Sequence, residues 1–122
     1  MKILLVDDSS TMRRIQKNTL SKIGHTDVDE AEDGADAVKK VGQGKYDLVL
    51  MDWNMPNMTG IEALKKIKED PAYKSLPVIM VTSESEKTRI VEAIQSGAAN
   101  YVVKPFQPET LEEKINSVLQ KA

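Results

Sequence analysis

Five short apolar runs punctuate the chain: Ile3–Val6, Val28–Ala31, Leu48–Met51, Val78–Val81 and Tyr101–Val103. Amphipathic stretches separate them. The first carries Met12, Ile15, Leu20 and Ile23 at helical spacing, all expected on its inner face, and stops at Gly24. The second runs from about Ala35 to Val41 and ends among Gly42 and Gly44. The third opens on Thr59-Gly-Ile-Glu62, a capping-box spacing, and aligns Ile61, Leu64 and Ile67. The fourth spans about Glu86 to Ser96, with Ile90, Ala93 and Ile94, and stops at Gly97. The fifth begins at Pro108, well suited to a first turn, and is expected to bury Leu111, Ile115, Val118 and Leu119.

Strands alternating with helices predict an α/β fold, a doubly wound parallel sheet covered on both faces. Runs 1, 3 and 4 are continuously apolar, as buried central strands are. Run 2 sits in the more polar stretch Thr26-Asp-Val-Asp-Glu-Ala31 and reads as an edge; run 5 is short and reads as the other edge. Strand order 2-1-3-4-5 with right-handed crossovers satisfies both. In that topology the functional crevice lies beyond the carboxyl ends of the strands, at the switch point between strands 1 and 3.

The remaining composition narrows the function classes. A chain of 122 residues fits one domain, 1–122. It has no cysteine and one histidine, His25, which excludes thiolate and multi-histidine metal sites and suits the cytoplasm. Net charge is −2, from 17 basic and 19 acidic side chains, so no general drive toward nucleic acid or anionic lipid is expected. No apolar run is long enough for membrane insertion or a signal peptide.

The strand ends carry the chemistry. Run 1 is followed by Asp7-Asp8, run 3 by Asp52, run 4 by Thr82-Ser83 and run 5 by Lys104-Pro105. The topology brings all of them to one rim. Two carboxylates about 5 Å apart repel by about 3 kcal/mol at an effective dielectric near 20. Lys104 offsets one of three negative charges, so a hard divalent cation with oxygen ligands is expected, and Mg²⁺ is the abundant choice. Asp52 can then serve as the nucleophile of a phosphoryl transfer, with Mg²⁺, Lys104 and Thr82 stabilising the transferred group.

Val6-Asp7-Asp8, Met51-Asp52-Trp53-Asn54-Met55-Pro56, Val81-Thr82 and Val102-Val103-Lys104-Pro105-Phe106 resemble the signature of two-component receiver domains, which share a flavodoxin-like (βα)5 fold. The likeness covers essentially the whole chain. It is closest to chemotaxis receivers at Ser10–Ile15, Glu30–Gly34, Asp52–Met58 and Tyr101–Phe106. The resemblance implies that Asp52 accepts the phosphoryl group. It implies that Asp7, Asp8, Asp52 and the main-chain carbonyl of Asn54 hold Mg²⁺, Asp8 directly. Thr82 and Tyr101 form a switch pair, and Lys104 contacts the phosphoryl group. Ser83 and Glu84 border the site as modulators, and the Lys104–Pro105 peptide bond is expected to be cis. The implied partners are a chemotaxis-type histidine kinase as phosphodonor, a flagellar motor switch protein as target, and a phosphatase; a monomer is expected.

Each residue alone has a duller reading. Asp7-Asp8 could cap a helix, Asp52 could form a turn, Thr82 could be a strand-end hydroxyl and Lys104 a solvated charge; Arg13, Arg14 and Lys17 read as a solvated helix face. The conjunction at four strand ends argues against the dull readings together. A haloacid-dehalogenase-type phosphatase would need an acid at the position of Asn54. A flavin module would need a glycine- and hydroxyl-rich loop where Asp7-Asp8 stands. A transcription regulator would need a DNA-binding domain, and none is expected after helix 5. The nearest alternative is a receiver that relays or drains phosphate without a motor partner.

Overall fold

The computed structural model describes residues 1–53, 55, 57–82, 87–103 and 106–119. Its elements follow the apolar runs closely. The strands are β1 (Ile3–Val6), β2 (Val28–Ala31), β3 (Leu48–Asp52), β4 (Val78–Thr82) and β5 (Asn100–Val103). The helices are α1 (Ser10–Lys22), α2 (Gly34–Gln43), α3 (Gly60–Glu69), α4 (Lys87–Gln95) and α5 (Pro108–Leu119), with a 3₁₀ turn at Pro71–Tyr73. All strand pairings are parallel and the order is β2-β1-β3-β4-β5. The central strands β1, β3 and β4 are buried at every position, and the more polar β2 is an edge.

Alternation along the strands divides the interior into two layers. Leu4, Val6, Val49, Met51, Val78 and Met80 point toward α2, α3 and α4, where they meet Ala37, Leu64, Ile67 and Ala93. Ile3, Leu5, Leu48, Leu50, Ile79 and Val81 point the other way, against Leu20 of α1 and Leu111, Ile115 and Val118 of α5.

Two apolar positions, Ile15 and Leu119, differ from the helical expectation, at 51% and 36% exposed; Ile94, whose exposure the apolar spacing leaves open, is 47% exposed. The inner row of α1 is Met12, Gln16, Leu20 and Ile23, at spacings of four, four and three, which leaves Ile15 one step off the stripe. Gln16 takes the buried place instead. Ile94 and Leu119 each adjoin a residue that does face inward, Ala93 and Val118. The expected capping box is present: Thr59 Oγ1 accepts from the Glu62 N–H, and the Glu62 carboxylate accepts from the Thr59 N–H.

Candidate functional site

Strand register explains why the acidic residues converge. Val6 pairs with Met51 across β1 and β3, so Asp7 and Asp52 emerge side by side from the sheet's carboxyl edge. Asp52 pairs with Val81, which places Thr82 one residue further along the neighbouring strand. Asp7, Asp52 and Thr82 are buried, whereas Asp8 is exposed. One carboxylate oxygen from each of Asp7, Asp8 and Asp52 lies within 4.8 Å of the others.

The start of α1 holds Asp7. Ser9 caps the helix by accepting from the Met12 N–H, and the Ser9 N–H donates to Asp7 Oδ1 at 2.9 Å. Gln16 Nε2 donates to Asp7 Oδ2 at 3.4 Å. Arg13, expected on a solvated face, is instead largely covered. It donates to the Asp7 main-chain carbonyl at 2.6 Å and to Glu30 at 2.8 Å, tying the end of β1 to β2. Burial pushes the Glu30 carboxyl up, but hydrogen bonds from Arg13 and Lys17 and their charges outweigh it and hold Glu30 below its ordinary range.

The segment after β3 folds back over Asp52. The Gly60 N–H donates to the Trp53 carbonyl at 2.9 Å, and the Trp53 N–H donates to the Val81 carbonyl at 3.1 Å. Gly60 is required by space: a Cβ there would fall under 3.0 Å from the Asp52 carbonyl oxygen. Asn57 takes a left-handed φ of 67° and donates to Asp33 Oδ2, fastening this segment to the start of α2. The hydrogen bond from the Asp36 N–H, then that from Asn57, holds Asp33 below its ordinary range. Arg89 of α4 lies over the Trp53 ring, 5.5 Å from its centroid.

Tyr101 is half-buried against the layer under α4, with the Lys114 ammonium 4.6 Å from its ring centroid. Met80 pairs with Tyr101 and Thr82 with Val103, so the two switch candidates sit on adjacent strands. Asn54, Ser83, Glu84, Lys104 and Pro105 lie outside the described residues, as does the Lys104–Pro105 bond. The positions of Asp7, Asp8, Asp52 and Thr82 were legible as strand ends, and Tyr101 entered only through the family resemblance. Gln16 and Arg89 were not singled out, and Arg13 was read only as a solvated charge; the one available signal was a glutamine in an otherwise apolar row.

The acidic group fits a divalent cation. Its donors are all hard carboxylate oxygens, and oxygens on opposite sides of a cation with bonds of 2.0–2.6 Å lie about 4–5 Å apart, as these can. Two of the three carboxylates are nearly excluded from water, where clustered negative charge is costly without a counter-ion.

Residues 3–116 match the response regulator receiver domain family. The chain is 50% identical over 120 residues to the chemotaxis protein CheY1 of Helicobacter pylori, covering 98% of this chain and 97% of that protein. It is 49% identical over 121 residues to the chemotaxis protein CheY of Pseudomonas aeruginosa, covering 99% and 98%. The solved structure of Vibrio cholerae chemotaxis protein CheY4 superposes with a TM-score of 0.88 at 38% identity, over 96% of this chain and 97% of that one. With the predicted strand order, the acidic rim and near full-length relatives in agreement, this chain belongs to the response regulator receiver domain family and is closely related to the CheY chemotaxis regulators.

Proposed function

We propose that the protein is a cytoplasmic, monomeric phospho-accepting switch that takes a phosphoryl group from a chemotaxis-type histidine kinase onto Asp52 and thereby changes its affinity for a flagellar motor switch protein. The observation that carries this reading is the meeting of the Asp52 carboxylate with those of Asp7 and Asp8 at the carboxyl edge of a buried sheet.

A carboxylate oxygen of Asp52 attacks the phosphorus of the donor phosphohistidine. An O–P bond forms, the P–N bond breaks, and the imidazole nitrogen leaves with the bonding electron pair. Asp7, Asp8, Asp52 and the Asn54 carbonyl would hold Mg²⁺, which, when bound, offsets their charge and that of the transferring phosphoryl oxygens. Lys104 supplies a further positive charge to the phosphoryl group, and the Thr82 hydroxyl donates to one of its oxygens. The near-dry setting of Asp52 strengthens these interactions, while Ser83 and Glu84 govern the access of water that returns the group to Asp52 carboxylate.

Phosphorylation replaces a single negative charge with a dianionic group beside Thr82. Drawing the Thr82 hydroxyl toward it frees space next to β5, into which Tyr101 turns. A target that prefers that arrangement shifts the population toward it. Val91 and Ile94 of α4 are exposed beside this region, where a motor-switch segment would dock.

The test is intact mass after incubation with acetyl phosphate, with and without Mg²⁺. Wild type should gain one base-labile phosphoryl group only with Mg²⁺, and Asp52→Asn none; undiminished labelling of Asp52→Asn would overturn the assignment. Phosphorylated wild type should bind a motor-switch peptide more tightly than the unmodified form, and Thr82→Ala should be phosphorylated with a smaller gain. Equal peptide affinity in both states would leave a relay or phosphate-draining receiver.

A further inference from the structure

Gln16 is out of character with its surroundings. It occupies the inner row of α1, one turn before Leu20, and is 2% exposed. An apolar side chain would complete that row; burying an amide there is unfavourable unless it is hydrogen-bonded. Its Nε2 donates to Asp7 Oδ2, while the other oxygen, Oδ1, accepts from the Ser9 N–H. Each oxygen of the buried carboxylate is therefore engaged by α1, one by its capping turn and one by its inner row.

We propose that Gln16 is a positioning residue that fixes the Asp7 carboxylate and so sets the cation affinity of the acidic pocket. The inference rests on the proposed Mg²⁺-dependent function. A carboxylate offers about four lone-pair directions, so it can accept from the Ser9 N–H and from Gln16 and still ligate a cation. Gln16 thus constrains Asp7 without displacing a ligand from it. Asp7 sits on the α1/α5 side of the sheet, two residues beyond Leu5 in the alternation, which is why a residue of α1 reaches it. Asp8, its exposed neighbour, lacks that enclosure. Groups that orient metal ligands from behind typically change affinity by about 10–100-fold. With the Ser9 bond retained and a 3.4 Å bond removed, the effect belongs at the lower end, about tenfold.

The experiment is a Mg²⁺ titration of wild type, Gln16→Leu and Gln16→Met, read by Trp53 emission and calorimetry. Leucine continues the apolar row, and methionine keeps the length of glutamine without its donor, so the two variants carry different packing risks. Thermal unfolding without Mg²⁺ checks that each is folded. Both variants should bind Mg²⁺ about tenfold more weakly. Phosphorylation by acetyl phosphate should require correspondingly more Mg²⁺, but its limiting rate at saturating Mg²⁺ should recover to within about twofold of wild type, because Gln16 does not touch the reacting atoms. A general structural defect would lower the limiting rate as well. Wild-type Mg²⁺ affinity in either folded variant, or a limiting rate reduced as much as the affinity, would overturn the proposal. Absence of Mg²⁺ binding in wild type would overturn both this proposal and the metal-dependent reading beneath it.

Discussion

Gly60 offers a test in which two physical effects predict opposite signs. It is the first residue of α3, where alanine has the better intrinsic helix preference, by up to about 1 kcal/mol. Yet an added Cβ would lie under 3.0 Å from the Asp52 carbonyl oxygen, with the carbonyl carbon and Met80 Cε both at 3.0 Å. The first two of these neighbours are backbone and cannot rotate away. The carbonyl oxygen is the closest of the three and sets the displacement, so the start of α3 and the end of β3 must separate by well over the 0.4 Å that would bring the carbonyl carbon alone from 3.0 Å to the 3.4 Å of ordinary contact. The Gly60 N–H to Trp53 carbonyl bond resists that movement. Overpacking of this kind costs about 1–3 kcal/mol, so Gly60→Ala should lose about 1–2 kcal/mol net and melt about 4–8 °C lower. Gly42, exposed near the end of α2 with nothing within 4 Å of an added Cβ, is the control. There alanine should add about 0.5–1 kcal/mol. Urea and thermal unfolding of the two variants, followed by circular dichroism, make the comparison. A Gly60→Ala protein as stable as wild type would refute the claim that close packing on Asp52, and not helix preference, selects glycine there.

Two further predictions follow from groups away from the site. Lys68 donates to the carbonyls of Tyr73, Lys74 and Leu76, at 3.2, 3.1 and 2.5 Å, closing the turn that leads into β4; Lys68→Met should cost about 1–2 kcal/mol and raise amide exchange across residues 73–77, and unchanged exchange would refute the pinning role. Burial, then the hydrogen bond with Asp29, pushes the Tyr46 phenol up to about 12. Because that value is raised in the fold, its contribution to stability is intact below pH about 10 and is lost as pH climbs through 12. Absorbance titration should therefore show a late tyrosine step that Tyr46→Phe removes; a late step that persists in Tyr46→Phe, or none in wild type, would contradict it.

Much of the fold was written in short-range patterns. A strand buried on both faces must be apolar at consecutive positions, so β1, β3 and β4 were visible without any knowledge of their neighbours, and the polar β2 declared itself an edge. The capping box at Thr59 and Glu62 is local chemistry and was readable for the same reason. The acidic residues could be nominated because each ends a strand, and parallel topology sends all strand carboxyl ends to one rim.

Tertiary structure alone decided which residues serve those acids. Whether Ile15 or Gln16 faces inward depends on the rotation of α1 against the sheet, a turn of about 100° between neighbours that an imperfect apolar stripe does not specify. The bond from Gln16 to Asp7 spans nine positions and that from Arg13 to Glu30 spans 17. Arg13 looked like a solvated charge because its acceptors lie on strands its own helix does not contain. The need for glycine at position 60 arises where the segment after β3 returns onto Asp52. Side-chain spacing along one element predicts what that element buries, but contact between elements is set by register and approach, which exist only once the sheet has formed.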